Sequence, residues 1–274
     1  MKLTRLDLDG VGSPNHIAAR IHELEPDLPL AVPIEQLCRQ LDIGKIERIA
    51  TSAFEAALVM DEHKAAGSIL LAAGRMPQRE RYSLAHELGH FLLPSHRPTA
   101  ARPFQCSLAD FHQLNERDRS QRVRIEAEAN RFAAQLLMPP TRVRRQIGRS
   151  CASLQAIVSM AREFGVSKEA MARAWVAANR DPVAVVVVHS GRVQRHYRND
   201  DFPWIAIRNG EAVSKDSVAA DMLSIGCYSE IEEVDPEVWL SERDAKRTLE
   251  LTEQVLAQRD GYVLVLLQIE FDDG

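Results

Sequence analysis

Five residues, His86-Glu87-Leu88-Gly89-His90, restrict this chain more than any other segment. They lie in the run from Arg79 to Leu93, which reads as a helix stopped by Pro94. On a helix, residues four apart stand one turn above each other on the same face. His86 and His90 then aim two imidazoles at one point, which suits two nitrogen donors on one Zn²⁺. Glu87 adjoins His86, where its carboxylate reaches a water held by such an ion without binding the ion. In that place it acts as a general base. The bland alternative is a surface helix whose His and Glu are merely solvated. Context argues against it. The candidate strand Ser68 to Leu71 precedes the helix and offers pairing groups to an extended peptide. A second helix bearing carboxylates follows from Ile125 to Met138. Another His-Glu pair, His22-Glu23-Leu24-Glu25, lacks a returning His and reads as a solvated helix face.

The third metal donor has three candidates. Glu126, from the second helix, completes a His₂Glu set whose fourth position stays open to water. Asn130 stands four residues on, on the same face, placed to orient a ligand His from behind. His96 makes the segment HELGHFLLPSH, which has the spacing of the HExxHxxGxxH pattern. That pattern wants Gly at its sharp turn; here the position is Leu93, which disfavours positive φ. Glu128 is the remaining alternative, on a different side of its helix. Glu126 is the favoured reading. Zn²⁺ is the expected ion, although His and carboxylate donors also suit Mn²⁺ and Fe²⁺. Tyr82 and His96 are candidate donors to the oxyanion of a tetrahedral intermediate.

RYSLAHELGHFLL followed by EAEANRFAAQLLMPP resembles the ImmA/IrrE family of metallo-endopeptidases, with the likeness running over roughly residues 15–178. The resemblance implies His86, His90 and Glu126 as metal ligands and Glu87 as catalytic acid/base. It also implies a substrate class: helix-turn-helix repressors or antitoxins, cut to open a stress, phage or mobile-element operon. With no recognisable repressor-type domain before the motif, the expected substrate is a separate protein.

Composition sets the frame. The chain has 274 residues, 45% apolar and 27% charged, enough for a sizeable core. No apolar run approaches a bilayer span, and the first residues, MKLTRLDLDGVGSPNH, lack a secretory apolar region. The four cysteines form no CxxC pair. A cytoplasmic protein with no membrane partner is expected. The net charge of −5 hides a gradient: residues 1–140 are net −1, 141–180 net +6, and 181–274 net −10.

These features predict an α+β fold in three parts. Residues 1–140 form a zincin-like metallopeptidase core with an active-site helix and a small mixed sheet. Residues 141–180 form a basic, bracing, helix-turn-helix-like segment around Gly165, with Ala161, Val166 and Met171 in helix-pairing positions. Arg142, Arg144, Arg145 and Arg149 offer phosphate contacts, so DNA is a candidate partner of this segment. Residues 181–274 form a smaller acidic α/β domain, read as regulatory or sensing, with buried strands at PVAVVVVHS and GYVLVLLQIEF and an amphipathic helix near 241–258. A domain boundary falls near 180. Two rivals to the peptidase reading are a DNA-binding regulator with a structural metal site and a toxin–antitoxin or defence component.

Overall fold

The structure, a computed structural model, describes residues 2–61, 63–96, 104–106, 121–148, 152–221 and 224–271. They show a mixed α and β fold that clusters into two compact units. One is Met1–Pro139 with Glu163–Ser167; the other is Pro140–Arg162 with Lys168–Gly274. Among the described residues, no helix is long and apolar enough to cross a membrane. The polar stretch 97–120, apart from 104–106, and the side chains of Cys106 and Cys151 lie outside the described residues.

The first unit opens with helix α1 (Pro14–Leu24). Ser13 caps it by accepting from the His16 amide at 3.2 Å, and Pro14 supplies a helix-ready φ at the first position. Its Ile17, Ala18 and Ile21 are buried along one stripe. Helix α2 (Ile34–Gln40) leads into strands β1 (Ile43–Ile49), β2 (Ala56–Met60) and β3 (Gly67–Ala72). Helix α3 (Pro77–Leu92), strand β4 (Phe104–Cys106) and helix α4 (Gln121–Leu137) follow. The sheet order is β1-β3-β2-β4, with β1 parallel to β3 and the other pairs antiparallel. The small mixed sheet expected from the sequence is therefore present. One detail is corrected: Ser68 to Leu71 cannot receive a peptide by strand addition. Both edges of β3 are already paired, Ile69 with Ile46 on one side and with Leu58 on the other.

Helix α3 packs on β2 and β3 on one side and along α4 on the other; α4 also packs on α1. Gly89 is what lets α3 and α4 meet so closely. A Cβ there would lie 2.8 Å from Phe132 Cδ1 and 3.4 Å from the Ala129 backbone. Phe132 and Ala129 are fully buried and have nowhere to retreat. Gly89→Val is therefore expected to destabilise the protein by about 1–3 kcal/mol through overpacking. Denaturant unfolding measures this, and metal retention should fall with it, because α4 carries Glu126.

The second unit contains helices α5 (Pro140–Ile147), α6 (Leu154–Phe164) and α7 (Lys168–Ala178), then strands β5 (Val183–His189), β6 (Arg192–Arg198) and β7 (Glu232–Glu233). A short helix α8 (Glu242–Ala245) precedes strands β8 (Thr248–Ala257) and β9 (Tyr262–Phe271). The sheet order is β6-β5-β9-β8-β7, antiparallel throughout. Ala184, Val186 and Val188 enter one core with Trp239, Val255 and Val265. The alternate residues Val183, Val185 and Val187 are buried as well, on the face where α7 packs. Two covered faces explain why β5 reads as an unbroken apolar run.

Two expectations change here. The helix anticipated near 241–258 is the four-residue α8 followed by the ten-residue strand β8. Leu251 and Val255, four apart, imitate helical spacing. They belong to a period of two whose middle member is Glu253, a buried carboxylate that breaks the apolar pattern. Glu253 accepts from Ser217 Oγ at 2.8 Å, the Ala219 amide at 3.0 Å and Trp239 Nε1 at 3.0 Å. Burial raises its carboxyl above the usual range against the pull of those donors. The acidic part is consequently an antiparallel sheet, with α8 its only helix longer than three residues among those described after 180, rather than an α/β layer. The compact units divide at Pro139–Pro140, and the second continues without a break through 180. Gln254 on β8 shows why: its Oε1 accepts from the Leu154 amide at 2.7 Å, and its Nε2 donates to Gln155 Oε1 at 2.9 Å. The first turn of α6 is thus satisfied by a residue about a hundred positions later. Of the tryptophans expected in cores or interfaces, Trp175 and Trp239 are buried. Trp204 is 70% exposed beneath the Arg198 guanidinium, 4.0 Å from the ring centre.

Candidate metal centre

The site is built on α3 and α4. Pro77 starts α3, and its apolar residues Leu84, Leu88 and Phe91 bury it. That burial carries His86, Glu87 and His90 inside with them, each fully removed from solvent. The C-terminal end of α3 is held by Lys64, from the turn between β2 and β3. Its Nζ donates to the carbonyls of His90, Phe91 and Leu93 at 2.9, 3.2 and 2.7 Å. A cation there satisfies orphan carbonyls and complements the helix dipole. Nothing in the residues around Lys64 announces this role, since it depends on a contact across 26 positions. Arg81 anchors the other half of α3, donating to Val32 O at 2.9 Å and Gly165 O at 3.0 Å. Gly165 has φ +66, and a Cβ there would lie 2.9 Å from Arg81 Nε, so both backbone and space call for glycine.

Three donor atoms converge. His86 Nε2 and His90 Nε2 lie 3.0 Å apart, and Glu126 Oε2 lies 3.1 Å from the first and 3.4 Å from the second. Among the described residues these three side chains form a group able to hold a metal ion. The fit is good. Tetrahedral arms of 2.0–2.1 Å place neighbouring donors about 3.3 Å apart. The donor chemistry agrees: burial pushes His90 down to about 3, so its imidazole is neutral and its lone pair is available. Burial works to raise Glu126, but the facing His86 and His90 rings outweigh it and hold the carboxyl below its ordinary range. Two imidazole nitrogens and one carboxylate oxygen suit a divalent ion.

Other residues singled out by the sequence fall around this point. With Nε2 of His86 turned inward, Nδ1 carries the proton and donates to Asn130 Oδ1 at 2.9 Å. Tyr82 Oη donates to the same oxygen at 2.9 Å. Tyr82 thereby braces Asn130. His96 and Glu128 lie behind His90. His96 Nδ1 is 2.9 Å from His90 Nδ1, the nitrogen facing away from the convergent point, and His96 Nε2 is 3.0 Å from Glu128 Oε2. Neither is brought to the donor group, and His96, fully buried in this contact, is committed elsewhere than an oxyanion. The backbone explains why the HExxHxxGxxH geometry does not arise. Leu93 has φ −71 and ψ 120, ordinary extended backbone, where that pattern turns through glycine. The chain leaves α3 straight into Pro94 and takes His96 past the site.

Residues 46–175 match the family model of the IrrE N-terminal-like domain, peptidase family M78. The match takes in α3 and α4 whole. Over 133 residues the chain is 29% identical to the radiation response metalloprotease IrrE of Deinococcus radiodurans, covering 48% of this chain and 38% of that protein. The aligned part is thus well under half of that relative. Among solved structures, a Mycobacterium tuberculosis transcriptional regulator matches with a TM-score of 0.58 at 14% identity, over 93% of this chain and 75% of that one. At that identity the likeness is one of fold.

Proposed function

Because residues 46–175 belong to the ImmA/IrrE family of metallopeptidases, we propose that this chain is a zinc-dependent endopeptidase of narrow specificity that cuts a regulatory protein. The observation that carries the reading is the convergence of His86, His90 and Glu126 next to a buried Glu87 that is not one of the three donors. Three protein donors leave a coordination position for reactants, the mark of a hydrolytic rather than a structural site. An ion held there would supply Lewis acidity for a peptide carbonyl and acidify water. Glu87 takes the proton from the attacking water on a carboxylate oxygen, then delivers it to the leaving amine nitrogen. Asn130 and Tyr82 keep the His86 ring in its donor orientation throughout. The substrate class proposed with it is a helix-turn-helix repressor or antitoxin.

The test uses the purified, zinc-loaded chain and a candidate helix-turn-helix repressor from the same organism. A single cut that chelator prevents is the expected outcome; an intact repressor at every zinc level counts against the proposal. A second reading, contact with DNA through residues 141–180, draws on the exposed Arg144 and Arg145 of α5 and on the helix pair around Gly165. A catalytically dead chain that still relieved repression would favour that reading.

A further inference from the structure

His90 and His86 have different partners on their outward nitrogens. If Nε2 of His90 is to offer its lone pair beside His86 and Glu126, its ring proton must sit on Nδ1. That nitrogen lies 2.9 Å from His96 Nδ1, and two ring nitrogens at that distance need one proton between them. His96 Nδ1 is therefore the acceptor. A neutral His96 then has its proton on Nε2, 3.0 Å from Glu128 Oε2, where a carboxylate accepts it. One tautomer pattern satisfies both contacts of the His96 ring: His90 Nδ1–H to His96 Nδ1, and His96 Nε2–H to Glu128.

The scaffold behind this chain is firm. The His96 amide donates to Leu93 O at 3.1 Å, and that carbonyl also receives Lys64 Nζ. Glu128 Oε2 further accepts from Ser95 Oγ at 3.3 Å, and its Oε1 faces Arg124 Nε at 3.8 Å. His86 is steadied by an amide oxygen; His90 is steadied by an imidazole with a carboxylate at its far end. Linked hydrogen bonds polarise one another, so Glu128 makes His96 the better acceptor.

Resting on the reading of His86, His90 and Glu126 as a metal site, we propose that His96 and Glu128 are positioning residues, a relay that fixes the tautomer and ring orientation of His90 and thereby sets the affinity of the centre for its ion. Partners of this kind typically change metal affinity by about 10–100-fold. His96→Leu is expected to weaken Zn²⁺ binding by roughly that factor, read by competition with a chelating dye. His96→Asn, whose Oδ1 takes the place of Nδ1, restores most of the affinity. Glu128→Gln lies at the surface end of the relay and gives a smaller loss, about tenfold at most. A second readout needs no metal. Nitrogen-15 NMR of the metal-free protein should show His90 in the Nδ1–H form, and His96→Leu should shift it toward the Nε2–H form that a free histidine side chain prefers. Equal zinc affinity and an unchanged His90 tautomer in His96→Leu overturn the relay while leaving the metal site standing. Should His96→Leu fail to fold, unchanged affinity in Glu128→Gln together with no rescue by His96→Asn has the same effect. Absence of stoichiometric zinc in the wild-type chain overturns the metal reading and the relay with it.

Discussion

Replacing Glu87 with Gln is expected to leave the fold and the metal content intact while lowering proteolysis by at least ~10²–10⁴-fold, the usual contribution of a general base. The two side chains are nearly isosteric, so the fully buried pocket that holds Glu87 keeps its packing. The amide has no basic oxygen to take a proton from water, and no acid to protonate the leaving amine. The change therefore acts on the chemical step and not on substrate capture. Turnover of a confirmed protein substrate by the Glu87→Gln chain, with zinc measured on the same sample, decides the matter. Cleavage at the wild-type rate would remove Glu87 from the mechanism.

Glu126→Ala is expected to act one step earlier, by emptying the site. Glu126 provides the single anionic donor, 3.1 and 3.4 Å from the two histidine nitrogens. Without it two neutral imidazoles compete with water for a divalent ion, and binding that couples three donors is lost. After dialysis the variant should carry little metal, whereas His96→Ala should refill at saturating zinc despite its weaker affinity. Elemental analysis of the two proteins side by side makes the comparison. Full occupancy in Glu126→Ala with loss in His96→Ala would transfer the third donor to His96, against the geometry around Leu93.

The residues at the centre of both predictions were legible before any coordinates. HExxH sets two imidazoles on one helical face because the helix repeats every 3.6 residues, a local property that needs no tertiary information. Glu126 and Asn130 share a face for the same reason. The unbroken valines of β5 and the stop at Pro94 are equally local. Other features resisted. Glu253 sits on the core face of β8 and hid its period of two, because a buried carboxylate makes sense only once Ser217, Ala219 and Trp239 are seen to donate to it. The helices of 141–180 gave no sign that Gln254 would complete α6.

The same division runs through the metal centre. Helical periodicity and side-chain chemistry settle which residue types face the point where the donors converge, since both act over a turn or two of chain. The choice among Glu126, His96 and Glu128 lay beyond that range. It depended on Leu93 keeping an extended backbone, on Gly89 admitting Phe132, and on Lys64 holding the end of α3 from another element. Each is a contact or a backbone angle selected by packing between segments far apart in sequence. Hydrogen-bond partners across 32 positions, such as His96 and Glu128, leave no periodic trace in the chain that encodes them.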